Sequence, residues 1–214
     1  AISLILLFTS CNEEAIQQTV NHFDPPRFTW RSFEIPGDGI AGIWAKDTSD
    51  VFWINPRQKT LYHLNKGTIQ AHYYGNYNAN EILGVSNNEV YLFASSIEVN
   101  HVLVILKWNG SGFEKIRTNV PSDLYPFTIR GCLDNASGVW VSSEFGAFRY
   151  DGINTNSYFY ENPDLVLQDM YLSDEGKIRI VTTGSNTGTD VRQCLFEFSD
   201  TGFVKIYDRS SGPP

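Results

Sequence analysis

Four tight-turn signals recur along the chain at nearly regular intervals, and they restrict its possible folds more than any other feature. In each, an Asn or Asp stands one or two residues before a Gly. The glycines of these turns stand 43, 42 and 50 residues apart; they are Gly67, Gly110, Gly152 and Gly202. Turns of this kind join the two strands of a hairpin. Because an aromatic-rich strand precedes and follows each turn, every signal marks one hairpin of a repeated unit.

A second hairpin precedes each of these four in the chain. Its turns are rich in Asn, Asp and Ser, and they occupy residues 47–50, 86–89, 135–138 and 173–176. Four strands in a unit of roughly 40 to 50 residues is the repeat of a propeller blade. The sequence therefore predicts an all-β chain, a β-propeller with four four-stranded antiparallel blades. The predicted blades span about residues 39–75, 80–120, 126–162 and 165–208.

The ends of the repeat array bear on whether the ring is complete. Residues 28–36 read as an outermost strand that lacks three preceding strands of its own. Closed propellers often complete the last blade with a strand from the N-terminus. We therefore expect residues 28–36 to be such a closing strand, and the four blades to be part of an incomplete ring that continues beyond Pro214. The alternative is a closed ring of four blades in which residues 28–36 are surplus.

The N-terminal segment indicates export. Residues 1–8 form an apolar run that is too short to cross a bilayer as a helix but matches the core of a secretory signal. Residues 7–11, Leu-Phe-Thr-Ser-Cys, resemble the bacterial lipobox, whose cysteine is acylated and becomes the mature N-terminus. We expect residues 1–10 to be a signal-peptide remnant, Cys11 the lipidation site and residues 11–27 a polar tether. The alternative is a buried strand with an incidental cysteine.

The third unit carries the most recognisable repeat. Residues 138–143 read Gly-Val-Trp-Val-Ser-Ser, and residues 146–152 read Gly-Ala-Phe-Arg-Tyr-Asp-Gly. This pattern resembles the repeat of the two-component-regulator type propellers. Asn12-Glu13-Glu14 also resembles the acidic export tag of Bacteroidota surface lipoproteins. These resemblances imply a sensing or binding module that is lipid-anchored to the bacterial outer membrane, periplasmic or surface-facing.

Charge and residue usage exclude several functions. The chain has 16 Lys and Arg against 24 Asp and Glu, a net charge of −8, and no basic stripe that would bind nucleic acid. No His, Cys and carboxylate cluster has metal-ligand spacing, so the sequence predicts neither a metal nor another cofactor. Cys132 and Cys194 fall in different units, which favours two buried thiols; export would also permit a disulfide.

Candidate ligand residues lie where propellers usually bind ligands, in loops that connect successive blades and in mid-blade loops. Tyrosine rings with amide and carboxylate neighbours can stack on sugars and bond their hydroxyl groups. The candidates are Tyr74, Tyr77, Asn78, Asp123, Tyr125, Arg57, Glu98 and Glu144. The alternative is that the tyrosines pack between blades and the polar residues cap turns. The tryptophans within strands are expected to pack between blades; these are Trp44, Trp53, Trp108 and Trp140.

The sequence favours a non-enzymatic function, in which the propeller holds a glycan, peptide or protein partner and meets the membrane only through its lipid anchor. A propeller glycosidase or polysaccharide lyase is the first alternative. It requires converging carboxylates, or a His and Tyr pair, near the central channel, and the sequence singles out no such catalytic group. A scaffold that mediates protein contacts alone is the second, because fold does not fix function.

Overall fold

A computed structural model describes residues 39–96, 102–121, 129–143, 146–159, 166–185 and 191–211. The chain divides into two compact units between residues 38 and 39, and the described residues all belong to the second unit. The predicted signal remnant, Cys11, the tether and the closing strand at residues 28–36 lie outside the described residues. Within the described ranges, no helix is long and apolar enough to cross a membrane.

The described residues form four sheets, each of four antiparallel strands that pair in chain order. Blade 1 contains β1 (Gly42–Asp47), β2 (Asp50–Asn55), β3 (Thr60–Asn65) and β4 (Thr68–Tyr73). Blade 2 contains β5 (Tyr77–Ser86), β6 (Glu89–Ser96), β7 (Val102–Trp108) and β8 (Phe113–Pro121). Blade 3 contains β9 (Arg130–Leu133), β10 (Val139–Ser143), β11 (Gly146–Tyr150) and β12 (Thr155–Phe159). Blade 4 contains β13 (Val166–Leu172), β14 (Ile178–Ser185), β15 (Val191–Ser199) and β16 (Gly202–Ser211). The all-β fold with four four-stranded blades is confirmed.

Two first strands are longer or more irregular than the turn pattern indicates. β5 begins at Tyr77, ahead of the expected residue 80, and its pairing with β6 shifts register between Ala79 and Glu81. β13 shifts in the same way between Leu167 and Asp169. Each bulge adds one residue to a strand without ending its pairing. Turn signals alone therefore do not fix the register of these two strands.

The first strands of neighbouring blades contact one another, β1 with β5, β5 with β9 and β9 with β13. These four strands form what we call the inner edge of the array. Because every blade is an antiparallel meander, the turns after its first and third strands lie at one end, which we call the turn face. The connection between its second and third strands and the loops that lead to the next blade lie at the other end, which we call the loop face.

Among the described residues, an apolar cluster fills each of the three contacts, or seams, between neighbouring blades. The second strands of blades 1 to 3 are central to these clusters because they are buried on both faces. In β6, Val90 and Leu92 pack in the seam with blade 1, whereas Tyr91 and Phe93 pack in the seam with blade 3. The prediction that tryptophans pack between blades is confirmed for Trp44 and Trp108 in the first seam and for Trp140 in the third. Trp53 is 3% exposed and stacks on Tyr62 of its own blade.

Large and small residues complement each other across two seams. A Cβ atom built on Gly84 of blade 2 would lie 2.2 Å from the Trp44 ring of blade 1. A Cβ atom built on Gly131 of blade 3 would lie 2.0 Å from the Phe93 ring of blade 2. These separations are far below van der Waals contact, so each ring occupies the space that a larger residue would need. Sequence patterns that treat the blades as equivalent units do not reveal this pairing.

Candidate ligand-binding site

The predicted ligand residues fall into two groups. Asp123, Tyr125, Glu98 and Glu144 lie outside the described residues. Tyr74, Tyr77, Asn78 and Arg57 are described, and all four lie at the loop face, close to the connection from β4 to β5 or from β2 to β3. Arg57 is exposed in the second of these connections.

Tyr74 is only 3% exposed. Its ring meets Phe113 edge-on with 6.2 Å between ring centroids, and its hydroxyl group donates to the backbone oxygen of Asn55 at 3.4 Å. Burial raises the pKa of Tyr74 well above its ordinary value. Tyr74 therefore packs between blades 1 and 2, the role stated above as the alternative to ligand binding.

Tyr77 and Asn78 are half-buried and each bonds a lysine. The Lys115 ammonium group donates to the Tyr77 hydroxyl group at 2.7 Å and lies 5.4 Å from the ring centroid. Lys59 donates to Oδ1 of Asn78 at 2.6 Å, and burial lowers the pKa of this lysine. A ligand at these two residues would replace or share bonds that the chain already makes.

A row of charged side chains on the inner edge was not predicted. Each first strand has one residue near its loop-face end that occupies the same register position in all four blades. Its partner on the second strand is Ile54, Phe93, Ser142 or Val181. From blade 1 to blade 4, this position is occupied by Gly42, Glu81, Arg130 and Asp169. Three consecutive blades thus place a charge at the same position, in the order negative, positive, negative. We call these three residues the inner-edge row.

Arg130 links three blades. Its Nη1 atom lies 3.5 Å from Oε2 of Glu81 in blade 2 and donates at 2.9 Å to the backbone oxygen of Ile129. Its Nε atom donates at 3.0 Å to the backbone oxygen of Gln168, the bulged residue of blade 4. Both Arg130 and Glu81 keep about a third of their side-chain surface exposed, at 35% and 32%. The guanidinium group is therefore fixed in orientation and still accessible.

The two carboxylates of the row influence each other through charge. Burial raises the pKa of Glu81, the Arg130 charge acts in the opposite direction, and the Asp169 charge raises it further; the net shift is upward. Asp169 is exposed, and its Oδ1 atom accepts from the backbone N–H of Met170 at 2.9 Å. The row therefore offers fixed donors between two carboxylates and can bond a polar ligand that carries both donors and acceptors.

A sequence signal for part of this row exists in retrospect. Glu81 and Arg130 each stand five residues before the turn that joins the first and second strands of their blade. These turns begin at Ser86 and Asn135. Aligning the blades on these turns would have placed both residues at one position. Asp169 stands four residues before Ser173, so the same alignment misplaces it by one residue.

The described residues include no group of three or more His, Cys, Asp or Glu side chains that can hold a metal ion. Cys132 and Cys194 are free thiols; Cys194 is buried, as predicted, whereas Cys132 is only partly buried. Burial raises the pKa of Cys132 to about 12, with a smaller contribution from the charges of Asp134 and Asp169. This thiol is therefore protonated at neutral pH and a poor nucleophile.

No known protein family and no curated protein matches the sequence. Among solved structures, the fold is similar to a streptogramin B lyase, with a TM-score of 0.55 and 14% identity over 85% of this chain and 72% of that one. It is also similar to a catalytically inactive virginiamycin B lyase from Staphylococcus aureus with quinupristin, with a TM-score of 0.53 and 13% identity over 82% and 70% of the two chains. An extracellular domain of a Bacteroides thetaiotaomicron two-component system has a TM-score of 0.48 and 10% identity over 83% and 31%, too low to support a conclusion. At these identities, the similarity to the two lyases shows the β-propeller fold alone.

Proposed function

We propose that this chain is an exported, lipid-anchored propeller that binds a glycan, peptide or protein partner without catalysis, at the loop-face end of the inner edge. The observation that carries the proposal is the inner-edge row, in which Glu81, Arg130 and Asp169 come from consecutive blades at one register position. A ligand bonded to this row contacts three blades at once. Its specificity then depends on one side chain from each blade.

The geometry of Arg130 supports binding. Its bonds to Ile129 and Gln168 hold the guanidinium group in place before a ligand arrives, so little side-chain entropy is lost on binding. Glu81 and Asp169 flank it with acceptor oxygens. Hydroxyl groups, amides and charged groups of a glycan or peptide are complementary to this set of donors and acceptors.

The binding proposal is tested with the full chain on arrays of immobilised plant, bacterial and host-type glycans and of peptides. Arg130→Met removes the guanidinium group and keeps the apolar stem. We expect at least about a tenfold loss of affinity for any bound probe, equivalent to one charged hydrogen bond. Lys66→Met is the matched control, because Lys66 is an exposed cation at the opposite, turn face.

Two outcomes contradict the proposal for the inner edge. One is that Arg130→Met and Lys66→Met bind the same probe equally well. The other is that the wild-type chain binds no probe on either array. Thermal unfolding of both variants, followed by circular dichroism, separates lost binding from lost structure.

The lipid anchor rests on the resemblance of residues 7–11 to a lipobox and on the polar segment that follows. Metabolic labelling with palmitate in a bacterial host tests it. We expect the wild-type chain to incorporate label and Cys11→Ala to incorporate none. Equal labelling of the two proteins would exclude Cys11 as the acylated residue.

An enzyme is the second candidate, because two carboxylates lie on either side of Arg130. The raised pKa of Glu81 suits a general acid, and exposed Asp169 suits a base or nucleophile. This function predicts that polysaccharides bound on the array release shorter products, and that Glu81→Gln and Asp169→Asn each abolish release. Binding without any product would decide for the non-catalytic function.

A further inference from the structure

A cleft of about 470 Å³ opens at the seam between blades 1 and 2, away from the inner-edge row. The outermost strand β4 forms one wall, with His72, Tyr73 and Tyr74. The outer hairpin of blade 2 forms the other wall, with Trp108, Gly112 and Phe113. The volume lies within the range of small-ligand pockets, and five of these six residues are aromatic or imidazole rings.

Two ring nitrogens in the walls have no hydrogen-bond partner. They are Nε2 of His72 and Nε1 of Trp108, both buried. The two rings face each other with 4.3 Å between centroids, and Trp108 is only 3% exposed. An unpaired buried polar atom has lost its bonds to water without gaining a partner, which is destabilising. Both atoms are closed to solvent, so a ligand hydroxyl group pairs with them once the half-buried His72 side chain shifts. It then accepts from Nε1 of Trp108 and donates to Nε2 of His72 in the tautomer that carries its proton on Nδ1.

The charge of the walls indicates what kind of ligand fits. Every lining residue is uncharged, provided that His72 is neutral. Burial lowers the pKa of His72, and the nearby His63 lowers it further, which favours the neutral ring. A neutral imidazole has one acceptor nitrogen, whereas the indole N–H of Trp108 only donates. The two unpaired ring nitrogens thus offer one donor and, in the tautomer with the proton on Nδ1, one acceptor, and the walls hold no charge to balance an ionic ligand.

Tyr73 completes the arrangement. Its side chain is 64% exposed, and its hydroxyl group donates to Oδ1 of Asn76 at 3.0 Å, which fixes the edge of the ring. An exposed, oriented aromatic ring at the rim of a cleft is a stacking surface for the apolar face of a sugar. Gly112 on the opposite wall leaves open space, since a Cβ atom built there would meet nothing within 4 Å.

We propose that this cleft is a second binding site, which takes the ring of a neutral, hydroxyl-bearing ligand, a pyranose unit of a glycan. The sugar face stacks on Tyr73, and a hydroxyl group bonds Nε2 of His72 and Nε1 of Trp108. The site is independent of the inner-edge row, because the two share no residue.

Fluorescence titration of the full chain tests the site, since Trp108 lies in its wall. The probes are methyl β-D-glucopyranoside, methyl β-D-galactopyranoside and methyl α-D-mannopyranoside, with glucuronate as the anionic comparison. We expect a saturable change with at least one neutral sugar, at a Kd in about the millimolar range, and weaker binding of glucuronate.

Gly112→Leu fills the cleft without removing a side chain. We expect affinity for the neutral sugar to fall at least about tenfold. Thr201→Leu is the matched control, because Thr201 lies exposed in the corresponding turn of blade 4. His72→Phe keeps a ring in the wall but removes the nitrogen, and we expect a similar loss. Arg130→Met, which disables the proposed inner-edge site, should leave this binding unchanged.

Several results would overturn the second site. They are the absence of saturation with all three neutral sugars, equal affinity of Gly112→Leu and Thr201→Leu, and full affinity of His72→Phe. A loss caused by Arg130→Met would assign the sugar to the inner edge instead. If sugar binding at the cleft is disproved, the proposed inner-edge site is unaffected. If binding at the inner edge is disproved, the proposed cleft site is likewise unaffected.

Discussion

Blades 3 and 4 have the same four-stranded meander, yet their second strands are buried differently. Every residue of β10 is buried, because blade 3 lies between two other blades. In β14, burial alternates: Ile178 and Ile180 pack against blade 3, whereas Arg179 and Val181 on the other face are half-buried. The comparison shows that second strands of the same four-stranded meander can be buried on both faces or mainly on one.

Blades 3 and 4 also differ in an ion pair of the third strand. The third-strand residue is basic in blade 3 and acidic in blade 4. The third strands of blades 1 to 3 carry a basic residue there, His63, Lys107 and Arg149. Each lies within 3.0 Å of an acid in its own blade, Asp50, Glu89 and Asp134 respectively. In blade 4, Glu197 takes the basic position and pairs with Arg179 at 2.9 Å. A basic and an acidic side chain therefore pair at this position in all four blades, and blade 4 has the acidic residue on the third strand.

Asp134 makes the pair of blade 3 more than an ion pair. Its carboxylate accepts from Nε of Arg149 at 2.7 Å, from Nε1 of Trp140 at 3.1 Å and from the backbone N–H of Gly138 at 2.7 Å. The Trp and Arg of the recognisable third repeat thus meet at one carboxylate in the inner turn. Blade 4 has no tryptophan at this register, because Arg179 stands in the position of Trp140.

The largest contrast between the blades should come from truncating these two equivalent residues. Trp140 is 1% exposed and packs on Tyr158 and Phe198 at centroid distances of 5.4 and 4.7 Å. We expect Trp140→Ala to lower the free energy of unfolding by about 3–5 kcal/mol. Arg179→Ala should lower it much less, because the ion pairs of Arg179 are partly exposed and screened by solvent. Urea unfolding followed by circular dichroism measures both, and equal losses would refute the difference between the blades.

The second contrast concerns Gly131, which stands at the register of Met170 in blade 4. Gly131→Ala forces a methyl group against Phe93 and should cost about 1–3 kcal/mol. Adding Phe93→Leu should recover part of that loss, so the double variant should cost less than the two single changes summed. Met170→Ala should destabilise for the opposite reason, because it leaves a cavity. Strict additivity of the Gly131 and Phe93 changes would exclude their contact.

The third contrast is the pH dependence of the Asp134 bonds. Burial alone would raise the pKa of Asp134, but the bonds from Arg149, Gly138 and Trp140 outweigh burial and lower it. Stability from this group is therefore present above its unfolded pKa of about 3.9 and is lost as pH falls through the lower folded pKa. Asp134→Asn should cost about 1–2 kcal/mol at pH 7. The difference from wild type should shrink below about pH 4; a constant difference would contradict this account.

The smallest effect should come from exchanging charges in blade 4. Arg179→Glu and Glu197→Arg should each lower the free energy of unfolding slightly, and the double variant should recover most of that loss. The same exchange of Arg149 and Asp134 in blade 3 should fail to recover, because an arginine cannot accept the bonds from Gly138 and Trp140. Thermal unfolding of the two double-mutant cycles provides the test. Equal recovery in both blades would show that the extra bonds of Asp134 contribute nothing.

Local turn chemistry explains why the fold was predictable. Glycines 67, 110 and 152 have φ values of 88°, 91° and 96°, a conformation that favours glycine, so the turn signals mark real chain reversals. Strands between such turns can only form hairpins, and the blade count follows. The tryptophans were predictable as packing residues for a similar reason, because each lies inside a strand.

The candidate sites were harder to predict because they depend on how blades meet. Asp169 shares the register of Arg130, but it stands four residues before its turn where Arg130 stands five, so aligning the blades on their turns does not place the two together. Tyr73 and Tyr74 are neighbours of one residue type, yet one is 64% exposed and the other 3%. Phe113, 39 residues later in the chain than Tyr74, makes that difference. Residue type identified the region but not which side chains are accessible.

The matched residues across the seams also fix the order of the blades. Phe93 of blade 2 packs against Gly131 of blade 3. The position in blade 2 that corresponds to Gly131 is occupied by Ile82. A tandem duplicate of blade 2 would therefore press Phe93 against an isoleucine and clash. Leu133 of blade 3 corresponds to Gly84 of blade 2. If blade 3 followed blade 1 directly, Trp44 would therefore meet a leucine where it now meets a glycine. Growth or shuffling of such an array by recombination thus requires compensating substitutions at every new junction, even though each blade has the same backbone plan.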